Sequence, residues 1–419
     1  MQSKLGQLAI NGGPSIIKGA LKNRFNIGTE ERDAVLAMFD KAIETGQAPG
    51  YNGEQEEQLC RDFAEFMGGG YADGVNSGTT AVFVALRALE IEPFSEVIVG
   101  PVTDPGGMMP VIMNNCIPVV ADSLPGSYNV GPEQIEEKIT EHTRAIIVAH
   151  IMGEPVDMPT IMKIAEKYDL KVVEDCAQAH GCKINGRFVG TFGHTAAFST
   201  MFGKHFNTGG QGGMVYTKDE GLYWKLRQHA DRGKPFGLEK GASNCVASLN
   251  FNLSDFSAAI GIEQLKKLTG LVKNRRNLVK KLTEKFESLG SLSVPEQLPG
   301  AEASYWYFRV RFNEDAVSCS KSGFLDAVEA EGVKMIKDYS IARPYLMDWF
   351  RNKNAYGSGG FPWTAPQYKG SYSNHFECPN AEKALGECFN LFVYESWGDE
   401  EAELIFKAFE KVEKAYTAR

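Results

Sequence analysis

Lys171-Val-Val-Glu-Asp-Cys-Ala-Gln-Ala-His-Gly181 opens on an apolar pair and closes on a polar, small-residue run. Val172 and Val173 stand side by side with no polar residue between them, as in a strand covered on both faces, and Asp175 falls where such a strand ends. Other short runs read the same way: Val97-Ile-Val, Pro118-Val-Val, Ala145-Ile-Ile-Val, Ala196-Ala-Phe and Met214-Val-Tyr. Amphipathic segments at helical spacing lie between several of them, at residues 132–140 and 158–168. Apolar strands joined by helices imply an α/β fold, with a large, mostly parallel sheet flanked by helices. Ligands of such sheets bind beyond the carboxyl ends of the strands. The chemistry is therefore expected just after these runs.

Upstream, residues 1–30 read as an arm, with a turn at Asn11-Gly12-Gly13-Pro14. A helix is predicted from Glu30, behind the cap Thr29, and a second over residues 54–66, ended by Gly68-Gly69-Gly70. Downstream, residues 253–282 are predicted as one long connecting helix, residues 305–312 alternate like a strand, and helices are expected at 322–331 and 400–416. The aromatic stripe from Tyr305 to Phe308 reads as strand core. The Gly- and aromatic-rich stretch 355–376 is long for a loop, which marks it as functional or mobile. The chain thus divides into an arm and large domain (1–265) and a connector helix with a smaller C-terminal α/β domain (266–419).

Apolar residues make up 43% and charged residues 23% of the 419, the balance of a soluble globular protein. No apolar run approaches a membrane span, and Met1 to Asn11 lack a secretory h-region, so the cytoplasm is expected and a membrane is not. The net charge of -9, from 44 Lys+Arg against 53 Asp+Glu, argues against a nucleic-acid partner. The eight scattered cysteines form no CxxC pair and read as reduced thiols. His180, His205 and His229 have no spacing of metal ligands, so no metal is expected.

Three features carry chemistry. Asn76-Ser77-Gly78-Thr79-Thr80 precedes a helix predicted over residues 81–89; free N–H groups there suit a phosphate, although an ordinary hydroxyl cap reads the same way. Asp175 is either a helix cap or a carboxylate that keeps a pyridine nitrogen protonated. The third feature, Phe198-Ser-Thr-Met-Phe-Gly-Lys-His-Phe-Asn-Thr-Gly-Gly-Gln-Gly-Gly213, sets Lys204 among apolar side chains. Burial favours the neutral, nucleophilic amine that forms an imine with an aldehyde. A phosphate site, a ring-nitrogen acid and an imine lysine, in that order, are the contacts pyridoxal phosphate needs.

On these motifs the chain resembles the sugar aminotransferases of the DegT/DnrJ/EryC/StrS type, which are pyridoxal-phosphate enzymes of fold type I. Further matches are Tyr128-Asn, Arg144-Ala-Ile-Ile, Gly153-Glu-Pro-Val-Asp-Met, and Asn250 ahead of Ala258-Ala-Ile-Gly. The resemblance implies that Lys204 carries the cofactor as an imine and moves the proton, that Asp175 holds the pyridine nitrogen, and that Gln178 bonds the ring oxygen. It also implies that Ser77, Gly78, Thr79 and Ser199 hold the phosphate, with Asn250 reaching in from the second subunit of a homodimer. The implied reaction moves an amino group from L-glutamate or L-glutamine to an oxidised sugar, for surface polysaccharide or a secondary metabolite. A sugar dehydrase or lyase on the same scaffold and a catalytically silent regulator are the alternatives. The dehydrases carry histidine in place of the lysine.

Two departures stand out. Thr103-Asp104-Pro105-Gly106-Gly107 replaces a Thr-aromatic pair, and Gly209-Gly210-Gln211-Gly212-Gly213 lacks the usual acid. The first resembles enzymes that aminate an 8-oxo octulosonate sugar acid. Asp104, His205, Arg232 and Arg343 are the candidate substrate contacts.

Overall fold

The structure, a computed structural model, describes residues 5–24, 26–371 and 375–417. Its main sheet has seven strands: β1 (Tyr71–Val75), β2 (Glu96–Val99), β3 (Ile117–Val120), β4 (Thr143–Ala149), β5 (Lys171–Asp175), β6 (Thr195–Ser199) and β7 (Gly213–Thr217). Their spatial order is β1-β7-β6-β5-β4-β2-β3. β7 runs antiparallel to both its neighbours, and the other pairs are parallel. Alternate side chains leave opposite faces. Val97, Val99, Ala145, Ile147 and Val173 pack on one side with Val82, Leu86 and Val111, while Ile98, Ile146, Val148 and Val172 meet Ile161 and Ala165 on the other. Both faces are covered, which is why the strands carry no polar alternation.

The helices that position the site are α1 (Thr29–Thr45), α2 (Glu54–Phe66), α3 (Gly78–Arg87), α4 (Pro105–Met113), α5 (Asp255–Phe286) and α6 (Asp399–Tyr416). Among the elements that escape the sequence reading are β1 and α4. β1 contains Asp73 and Gly74, residues depleted from strands, and it forms by pairing along β7 from Tyr71–Thr217 to Val75–Gly213. α4 contains Gly106, Gly107 and Pro110, all poor helix formers. Its start signal is nonetheless present: the Asp104 carboxylate accepts from the Gly106 N–H at 2.8 Å, with Pro105 in the first turn. The helix expected at 132–140 is shorter, Pro132–Glu136.

A second, antiparallel sheet is built from β8 (Leu292–Ser293), β9 (Tyr307–Phe312), β10 (Met335–Ile336) and β11 (Cys388–Phe392) in the order β8-β9-β11-β10. Phe308, Phe324, Phe389 and Phe409 form its core with Leu282 and Phe286 of α5. α5 runs unbroken through residue 265, its first half in the core of the large sheet (Ala258, Leu265, Leu268) and its second in that of the small one. Arg309 of β9 reaches Glu154, behind β4, at 2.8 Å, with both side chains buried. The stretch 355–376 is anchored at a few side chains: Trp363 is buried and the Tyr368 hydroxyl donates to Glu96 at 2.6 Å, while Tyr356 and Phe361 stay exposed. Residues 372–374 of that stretch lie outside the described residues. The eight cysteines are free thiols, and Cys116, Cys176, Cys182, Cys378 and Cys388 are buried. Among the described residues no helix is long and apolar enough to cross a membrane.

Candidate active site

The ends of β1, β5 and β6 meet the starts of α3 and α4 around a cavity of about 220 Å³. Ser77, Gly78 and Thr79 line it from the first turn of α3, Ser199 from the end of β6, and Gln211 from the glycine-rich return to β7. Ser77 caps α3, its Oγ accepting from the Thr80 N–H at 3.2 Å. The next residue must be glycine, because a Cβ at Gly78 would come within 2.5 Å of the Ser199 side chain. Hydroxyls and unpaired N–H groups at a helix N-terminus make a cradle for an anion.

Asp175, the last residue of β5, is buried on the cavity wall, and its Oδ1 accepts from the Ala177 N–H at 3.0 Å. Burial pushes its carboxyl up from the usual range, opposed by that hydrogen bond and by Lys204. Gly106 and Gly107 stand across the cavity. A Cβ at Gly107 would lie 3.1 Å from the Asp175 Oδ2, and one at Gly106 would strike the Thr79 hydroxyl. Asp104 thus stands where the resembling family carries an aromatic, and the two glycines behind it keep the space beside Thr79 and Asp175 open.

Lys204 sits in the loop behind β6, in a turn closed by its N–H on the Met201 carbonyl, and is 7% exposed. Burial draws its amine down to about 8, against the opposing pull of Asp175 and Asp104. That value leaves a useful neutral fraction near neutral pH. Gln178 is buried nearby: its Oε1 accepts from the Met152 N–H at 2.8 Å, and its Nε2 faces the Tyr339 hydroxyl at 3.4 Å.

The cavity therefore gathers Ser77, Gly78, Thr79, Asp104, Asp175, Ser199 and Lys204. The family model of the DegT/DnrJ/EryC1/StrS aminotransferases matches residues 29–410. The chain belongs to this family. Its cofactor, like that of the family, is pyridoxal phosphate, and the residues present fit that group: an anion cradle, a buried carboxylate and a buried amine share one wall-to-wall space. Among similar proteins, the UDP-N-acetyl-3-dehydro-alpha-D-glucosamine 3-aminotransferase of Acidithiobacillus ferrooxidans is 34% identical, over 74% of this chain and 80% of its own. The solved aminotransferase from Psychrobacter cryohalolentis superposes with a TM-score of 0.80 at 28% identity, covering 93% of this chain and 98% of that one. A GDP-4-keto-6-deoxy-D-mannose-3-dehydratase of E. coli, solved with bound hydrated PLP, shares the fold with a TM-score of 0.78 at 22% identity, over 94% and 99% of the two chains.

Other candidates of this aminotransferase lie off the cavity wall. His205 is buried with its Nε2 3.0 Å from the Ser304 carbonyl. Arg232 is tied to Asp231 and, at 2.8 Å, to the Tyr51 hydroxyl, and Arg343 bonds the Ser340 carbonyl. Asn250 is exposed, its side-chain oxygen accepting from the Asn252 N–H at 3.2 Å. His150, Glu174 and Cys176 come together, but hydrogen bonds already engage the His150 and Glu174 side chains. The Val156 N–H donates to the His150 Nδ1, so Nε2 is left to donate to Glu174, which also receives the N–H groups of Gly190, Phe192 and Gly193. A larger cavity of about 840 Å³ runs beside Arg311 and Asn380 and holds none of the site residues.

Sequence reasoning missed Trp306. It precedes β9 rather than lying in the strand core, and the Lys204 Nζ lies 3.8 Å from the centroid of its ring. The surrounding Tyr-Trp-Tyr-Phe run looked like strand core, so only the tertiary contact reveals it.

Proposed function

We propose that this sugar aminotransferase moves an amino group from L-glutamate or L-glutamine to the carbonyl of an oxidised sugar, in the cytoplasm, with Lys204 as the base. The observation that carries this reading is the meeting of the Ser77-Gly78-Thr79 cradle, Asp175 and Lys204 in one cavity. Bound there, pyridoxal phosphate supplies an electron sink for the charge left when a proton leaves the donor carbon. Ser77, Gly78, Thr79 and Ser199 would hold its phosphate, and Asp175 its ring nitrogen. Gln178 would bond the ring oxygen. The Lys204 Nζ, drawn down to about 8, is suited to take up that proton and hand it on.

A homodimer with shared sites completes the reading. Leu36, Phe39 and Ile43 form an exposed apolar stripe along α1, and Leu249 beside Asn250 is 67% exposed, which supports burial against a second copy. Asn250 would then reach the partner's phosphate cradle. The Thr103 to Gly107 segment supports a sugar acid such as an 8-oxo octulosonate as acceptor, and Arg232 and Arg343 are the cations that would meet its carboxylate. Lys204 itself weighs against a dehydrase, whose relatives carry histidine there.

The test is spectroscopic. Purified protein given pyridoxal phosphate turns yellow, and adding glutamate or glutamine moves the visible band to shorter wavelength. Adding the true acceptor returns it. A colourless protein, or a Lys204→Ala variant with full turnover, would sink the reading.

A further inference from the structure

Trp306 is the aromatic that the Lys204 amine meets, and it arrives from the small domain. Its ring centroid is 3.8 Å from the Lys204 Nζ, and its indole N–H donates to the Gly203 carbonyl at 3.2 Å. One side chain therefore touches both the amine and the loop that carries it. We propose that Trp306 is a positioning residue of the transamination reaction, its indole face seating the protonated Lys204 amine while its N–H fixes the direction of the lysine loop. The proposal rests on Lys204 being the reacting amine.

The backbone around Trp306 is built for placement. The Trp306 N–H donates to the Met152 carbonyl and the Ser304 N–H to the Gly153 carbonyl, each at 2.8 Å. Met152 and Tyr305, at this crossing, both adopt left-handed backbone, with φ of 63° and 52°. That is uncommon for residues with side chains. Gly153 is left-handed too, and a Cβ there would come within 2.8 Å of the Gln178 carbonyl and the Tyr305 nitrogen. Met152 in turn donates to the Gln178 side chain. Trp306 is thus tied through its backbone and Met152 to the ring-oxygen candidate Gln178, and through its indole to Lys204 and Gly203.

A ring face attracts an ammonium more strongly than an amine, so the indole favours the protonated form. Asp175, at the end of β5, and Asp104, at the cap of α4, pull the same way, while burial opposes all three. His180 also faces the lysine, and Arg24 lies against its carbonyl. Both are unchanged by substitution at Trp306. Trp306→Leu keeps the site apolar but removes the ring, and Trp306→Phe keeps a ring without the N–H.

Trace acetylation of Lys204 in the cofactor-free enzyme, read by peptide mass spectrometry across pH, measures the amine directly. In the parent protein its midpoint is expected near 8. Trp306→Leu is expected to lower it by about half a unit or more, with Trp306→Phe falling between. In the loaded enzyme the glutamate half-reaction should slow about tenfold in Trp306→Leu at unchanged KM, with partial rescue by Trp306→Phe. If both variants keep the parent midpoint, or shift it equally, Trp306 only fills space and the proposal is overturned. Lys204→Ala separates the two levels: full turnover in that variant overturns the lysine assignment itself, whereas loss of turnover with unmoved midpoints at Trp306 overturns only the indole's role.

Discussion

Arg24 donates to the carbonyl oxygen of Lys204 at 2.6 Å, so the N-terminal arm holds the backbone of the loop that presents the amine. The same guanidinium reaches the Gly203 carbonyl at 2.7 Å and the Glu395 carboxylate at 2.8 Å. Glu395 also meets Arg275 of α5 at 2.7 Å. Burial pushes the Glu395 carboxyl up, but Arg275 and Arg24 outweigh it and hold it below the usual range. Arg24→Ala takes the guanidinium donor from the Lys204 carbonyl, leaves the Gly203 carbonyl to the Trp306 indole alone, and leaves Glu395 with Arg275 as its remaining partner. The expected loss of stability is about 2 kcal/mol, seen as a lower Tm, together with weaker cofactor retention. An unchanged Tm with unchanged cofactor affinity would show that the arm does not hold this loop.

Lys204 gives the cofactor-free protein a distinct pH response. Its folded value of about 8 lies below the ordinary 10.5, so between those limits the unfolded chain binds a proton that the native state does not. Stability from this group therefore rises with pH across that window and is least below it. Lys204→Met removes the titration. The variant should be more stable than the parent at pH 7, by up to about 3 kcal/mol, and the gain should fade as pH passes from 8 towards 10.5. Urea unfolding of both proteins at several pH values checks this, and a pH-independent difference would contradict it.

Glycines in two settings should respond in opposite ways to alanine. At Gly106 an added methyl strikes the Thr79 hydroxyl in the phosphate cradle, so Gly106→Ala is expected to weaken pyridoxal-phosphate affinity about tenfold or more in absorbance titrations. At Gly270, inside α5, nothing lies within 4 Å of the added methyl, and the helix gains propensity. Gly270→Ala should stabilise the protein by about 0.5 to 1 kcal/mol. Gly261 in the same helix would meet Leu59 at 2.9 Å and should not share the gain.

The sequence reading was strongest where local pattern and tertiary demand coincide. Val97, Ile146 and Val172 are buried on both-sided strands, so unbroken apolar runs marked β2, β4 and β5. The Ser77 cap and the glycine behind it were likewise visible, since helix starts are written locally. β1 was hidden because Asp73 and Gly74 pair with β7, a partner more than a hundred residues away, which no local propensity encodes. α4 was hidden behind Gly106 and Gly107, which the cavity keeps small beside Asp175 and Thr79. Trp306 was read as core because its contact with Lys204 spans two sheets. Functional sites are where local rules give way to tertiary needs.

The proposed sharing of the site between subunits has a direct genetic test. Asn250 is exposed and lies off the cavity of its own chain, while Lys204 is on the wall of that cavity. If Asn250 serves the partner, Lys204→Ala and Asn250→Ala each damage every site in their own homodimers. In a mixed dimer, one site takes both changes and the other takes neither. Unfolding and refolding the two variants together should therefore restore about a quarter of the parent activity, the share expected from random pairing of symmetric subunits. Activity that stays at the sum of the separate variants would mean that each chain completes its own site. A monomer in sedimentation, with the α1 stripe of Leu36, Phe39 and Ile43 left in solvent, would mean the same.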